Sequence, residues 1–142
     1  MSLPSIKLLR SGLGVLAAAQ AVVGGWALAA PRSFFDNGPF PGTHWVAMFP
    51  PYNEHLMRDF GALSLSLCAV LVFAAVTAQR TVVRAALVAY VVFAVPHLTF
   101  HLNHLAVADR IGNVVALVVA VLLPLALWPL TRSAADDGIA VV

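Results

Sequence analysis

Ile111-Gly112-Asn113-Val114-Val115-Ala116-Leu117-Val118-Val119-Ala120-Val121-Leu122-Leu123-Pro124-Leu125-Ala126-Leu127-Trp128-Pro129-Leu130 is a run of about 20 residues without a charge. That length as helix crosses the ~30 Å hydrocarbon core of a bilayer. Three more stretches are similarly long and predominantly apolar, from about Leu8 to Ala30, Phe60 to Ala78 and Val82 to Leu105. The whole 142-residue chain is 61% hydrophobic and 10% charged, with a mean hydropathy of +0.92. A water-soluble domain carries about a quarter charged residues, so this chain lacks the polar surface to cover itself in water. We therefore expect an all-α bundle of four transmembrane helices in one domain over residues 1–132, with 133–142 as a disordered tail.

The first stretch also fits a secretory signal. Lys7 and Arg10 lead it, and Ala27-Leu28-Ala29 suits cleavage after small residues. Its length, and the stripe Gly14, Ala18, Ala21 and Gly25 at helical spacing, favour a retained helix that packs closely. Residues 31–53 form the one long connection. Five prolines break a continuous helix there, and Phe34, Phe35, Phe40, Trp45, Phe49 and Tyr52 suit the membrane interface. A Pro/aromatic-rich cap over the helix ends is the expected form. The remaining turns are short, so neighbouring spans run antiparallel.

With four spans the termini share a side. Lys7, Arg10, Arg80, Arg84 and Arg132 fall on it, against Arg32, Arg58 and Arg110 on the other. The positive-inside tendency then places both termini in the cytoplasm of a multi-pass cell-membrane protein. All five histidines, and four of the six carboxylates, fall at the opposite end. Ionisable groups at a bilayer edge are costly unless paired, hydrated or bound, which makes them a functional-site hypothesis.

Two segments concentrate them. His97, His101 and His104 are spaced four and three residues apart, so one helix stripe carries three imidazoles. Glu54 and Arg58, and His55 and Asp59, form two pairs spaced four apart at the start of the second span. His44 and Asp36 lie in the cap, and Asp109 stands four residues before Asn113. Imidazole and carboxylate are ligands for zinc, copper, iron or manganese. The expected metal set is His55, Asp59, His97, His101 and His104, supported by Glu54, Arg58, His44 and Asp109. Two alternatives need no metal: a hydrogen-bonded proton relay, or recognition of a polar head group on a quinone or lipid.

Other chemistries find little support. A net charge of +2 with scattered basic residues does not favour nucleic acid. Gly12-Leu13-Gly14 follows no strand and precedes no Lys-Ser/Thr, so no nucleotide cofactor is expected. Ser64 and Ser66 lack a nucleophile-elbow context. Cys68 is a lone thiol inside an apolar span, read as a small hydrophobe. Haem ligation calls for facing histidines deeper in the bundle than these, so haem is not expected.

The stretch from Leu9-Arg10-Ser11-Gly12-Leu13-Gly14 to Ala29-Ala30-Pro31-Arg32-Ser33-Phe34-Phe35 resembles the first helix of small DoxX-like four-helix membrane proteins. Phe40-Pro41-Gly42, Trp45-Val46 and Tyr52-Asn53-Glu54-His55-Leu56-Met57-Arg58-Asp59-Phe60-Gly61-Ala62 are similar to a pattern in uncharacterised actinobacterial membrane proteins. In size and layout the resemblance covers nearly the whole chain. It implies a four-helix membrane fold and an association with membrane redox chemistry, as a quinone-linked or oxidase-associated subunit, so a membrane oxidoreductase or a subunit of one is the expectation. It carries no catalytic residues over to this chain. A non-catalytic accessory subunit, docked on a membrane partner or a second copy through the small-residue stripe, is the competing expectation.

Overall fold

The computed structural model describes residues 3–104 and 110–134. The described chain is all-helical: α1 Leu3–Ala29, α2 Pro31–Asn37, α3 Glu54–Thr77, α4 Arg80–Asn103 and α5 Arg110–Leu127, then a 3₁₀ segment Trp128–Ala134. Four of these helices are long and apolar enough to cross a membrane. Their outward surface is apolar too. Leu63, Val76 and Val92 are 71%, 69% and 67% exposed, a surface that suits lipid and not water.

Local chemistry sets the breaks. Ala30 leaves the helical region before Pro31, at φ −135° and ψ 63°, because proline disfavours that region for the residue ahead of it. Pro31 then opens α2, where its missing N–H is not needed. Asn53 caps α3, its Oδ1 accepting from Leu56 N at 3.1 Å. The helix therefore starts six residues earlier than the apolar run suggests, and all of Glu54–Asp59 is helical. Ala78 ends α3 in the left-handed region at φ 51°. Two residues later α4 begins and continues through Pro96 to Asn103. Ser133 and Ala134, expected in a disordered tail, belong to the 3₁₀ segment. The remainder of that tail, and Asp109, lie outside the described residues.

α1 packs most extensively on α3, and α5 packs mainly on α4. The α1–α3 contact runs through Gly24 and Gly61. A Cβ on Gly61 would stand 2.6 Å from the Leu28 nitrogen, and one on Gly24 would stand 2.9 Å from the Gly61 carbonyl oxygen. Only glycine lets the two backbones approach so closely. The stripe expected to pack, Gly14, Ala18, Ala21 and Gly25, is not the one used. Its first three residues are exposed, and a Cβ on Gly14 or Gly25 would meet nothing within 4 Å.

The core lies toward the terminal end. Leu9, Leu13 and Leu16 of α1 meet Leu71 and Ala74 of α3, Val83, Leu87 and Tyr90 of α4, and Leu127. Cys68 packs against this cluster as a partly buried side chain. Polar ties close the same end. Arg10 Nη2 donates to the Val76 carbonyl at 3.2 Å. Arg84 Nε donates to Thr131 Oγ1 at 3.0 Å, with its guanidinium over the Trp128 ring. The opposite half of the bundle is hollow.

Candidate functional site

A chamber of about 500 Å³ occupies that hollow half, bounded by all four long helices, α2 and the cap. Its walls are aromatic. Ring centroids step from Phe34 to Phe60 at 5.9 Å, Phe60 to Phe93 at 6.4 Å, Phe93 to His97 at 5.4 Å and His97 to His101 at 4.9 Å. The His97 ring stacks on Phe93, and the His101 ring meets His97 edge to face. The cap covers this end. Phe49 lies over both Phe100 and His101, at 5.1 and 5.5 Å.

Trp45 anchors the cap. Its backbone N–H donates to the Gly38 carbonyl at 3.1 Å, and its buried ring packs edge to face on Phe40 at 5.4 Å. Its indole N–H has no hydrogen-bond partner although the ring lines the chamber. Arg32 holds the adjoining turn of α2 through Asp36 at 2.8 Å and lies over the Tyr52 ring at 5.0 Å. The Asp36 hydrogen bond raises the Arg32 pKa above its ordinary value.

Few polar groups face the chamber. Gln20, Asn53, His97, His101 and Asn113 are among its lining residues. Asn113, 5% exposed, places its Nδ2 at 3.2 Å from His101 Nδ1. An amide nitrogen only donates, so His101 Nδ1 accepts and the ring proton sits on Nε2. Asn113 of α5 thus sets the tautomer of a histidine on α4. Gln20 lies beside Tyr90, one turn below Phe93. An apolar chamber with a few convergent polar groups is the usual form of a small-molecule site.

The other sequence candidates lie elsewhere. His55 and Asp59 pair with each other at 3.3 Å on the outside of α3, with side chains 86% and 56% exposed. Arg58 binds Glu54 at 2.8 Å, as the spacing predicts. It also donates through Nη1 to the Leu28 carbonyl at 2.6 Å, where a cation suits the end of α1. His104 ends α4, its Nδ1 donating to the Phe100 carbonyl at 2.7 Å while its ring stacks on Phe100. His44 Nδ1 contacts the Asp36 carbonyl oxygen. The expected metal set is therefore split between the outer face of α3 and the chamber end of α4. Among the described residues no three His, Cys, Asp or Glu side chains group closely enough to hold a metal ion.

Of the polar chamber residues, His97 and His101 are expected site groups from the sequence, Asn113 is marked there only by its spacing from Asp109, and Gln20 and Asn53 are not site candidates. Gln20 is a lone polar residue inside an apolar span, which was the available signal. No known protein family, characterised protein or solved structure matches this chain.

Proposed function

We propose that this chain is a membrane-embedded binding protein for a small apolar molecule carrying a hydrogen-bond acceptor, held in the chamber beneath the cap. The observation that supports it most is the pairing of aromatic walls with the His101–Asn113 contact at one end. Flat rings suit walls built from Phe34, Phe60 and Phe93, because offset and edge-to-face contacts add about 0.5–1.5 kcal/mol each. A carbonyl oxygen suits the Nε2–H of His101. A quinone-type head group meets both requirements. That chemistry is also the one that the resemblance to DoxX-like proteins implies. The distribution of basic residues supports an extracytoplasmic position for the capped end.

The test is equilibrium binding of a methoxy-substituted benzoquinone to protein purified in mild detergent without a histidine tag. Metal analysis by mass spectrometry accompanies it, and His101→Ala is measured in parallel. Saturable binding by the parent, weakened about tenfold in His101→Ala, is expected, as befits one lost hydrogen bond in an apolar site. Near-stoichiometric metal in the parent that disappears in the variant would overturn this reading in favour of a metal centre on α4. Absence of both would leave the accessory-subunit reading in its place.

A further inference from the structure

A second cavity, of about 300 Å³, adjoins the chamber. It is lined by Leu63, Ser64 and Leu67 of α3, Ala89 of α4, and three residues that also line the chamber: Gln20, Phe60 and Phe93. The two spaces meet at these three side chains. The smaller one lies between α3 and α4, and its rim residues Leu63 and Ala89 are exposed on the outer surface of the bundle. The fold explains the gap. Gly24 and Gly61 draw α3 tightly against α1 at this level. On the α4 side, the small side chain of Ala89 fills little of the space that remains.

Resting on the binding reading above, we propose that the ligand is a long-chain amphiphile whose apolar tail leaves the chamber through this groove into the bilayer. Its head lies near His97, His101 and Asn113, and its tail passes Phe93 and Phe60 to emerge between Leu63 and Ala89. From His101 to Ala89 is twelve residues of α4, about 18 Å at ~1.5 Å per residue. A tail on this path stays inside the ~30 Å hydrocarbon layer throughout. The groove selects by shape and not by hydrophobic gain, since a tail in lipid is already in an apolar medium. A tailed molecule keeps its head in the chamber only if its tail has a way out.

The test compares the tail-free methoxybenzoquinone with the same ring bearing a decyl chain, both titrated into protein in lipid nanodiscs. Leu63→Trp and Ala89→Trp each fill the groove from its exposed rim. Val92→Trp adds the same bulk at a 67% exposed position that does not line the groove. Each groove variant should bind the decyl compound at least about tenfold more weakly. Each should bind the tail-free ring within about twofold of the parent, and Val92→Trp should change neither. Decyl binding that survives both groove substitutions would overturn the proposal and leave the chamber reading standing. So would loss of co-purifying phospholipid from those variants with decyl affinity intact, which would make the groove a lipid-solvation site. If the parent binds neither compound, the chamber reading fails and takes this one with it.

Discussion

The two halves of the bundle are built from the same four helices and differ in what fills them. Toward the termini, leucine, valine and alanine form the buried core, and arginines on α1 and α4 tie the helix ends together. Toward the cap, phenylalanines and histidines stand around a chamber. Large flat side chains line the open space there, where branched aliphatics pack densely in the other half. The solid half carries stability and leaves the other free to keep an opening.

Substitutions separate the two roles. The largest effect is expected at the junction. Gly61→Leu forces a side chain into the α1 backbone and should cost about 3 kcal/mol or more. Thermal unfolding followed by near-UV circular dichroism would show it, and an unchanged Tm would mean that α1 and α3 are not pinned there. Leu13→Ala, at a fully buried position, should cost about 2 kcal/mol. That is the low end for such a cavity, because lipid supplies little of the transfer term that water would. Quinone binding should persist in this variant below its Tm. Asn113→Leu frees His101 Nδ1 and should weaken quinone binding about tenfold with a small change in Tm; an unaltered dissociation constant would detach the amide from the site.

Smaller effects mark the rim. Asn53→Ala removes the cap of α3 and should lower stability by about 1 kcal/mol. His55→Ala breaks an exposed pair and should shift stability by no more than about 0.5 kcal/mol. It should leave quinone binding and metal content alone. A strong loss of either would move the site to the outer face of α3.

The spans, the antiparallel turns and the cap were legible because each rests on local composition: runs of apolar residues, short breaks, clustered prolines. The packing face of α1 was not. Small residues surround that helix on several sides, and in a membrane no polar face marks which side turns inward. Gly14, Ala18, Ala21 and Gly25 made a regular stripe, while Gly24 made the contact because Gly61 happened to oppose it. The same limit governs the site. Spacing placed His97 and His101 on one stripe, and that held. It also placed His104 beside them, and the same Phe49 ring meets both His101 and His104, at 5.5 and 5.9 Å, while the His104 imidazole donates to the Phe100 carbonyl at the helix end. His55 and Asp59 satisfy one another, and nothing local reveals that their side of α3 faces outward. Asn113 meets His101 only through tertiary packing of α5 on α4.

Trp45 turns the cap into an optical instrument. Trp26 donates its indole N–H to Ser33 at 3.2 Å, and Trp128 lies beneath the Arg84 guanidinium at the far end of the bundle. Of the three indoles, Trp45 alone lines the chamber, with an N–H that has no acceptor. Replacing Trp26 and Trp128 with phenylalanine would leave a single emitter at the chamber wall. Quenching of its fluorescence would then register occupancy in real time, without a label, in the protein's own membrane.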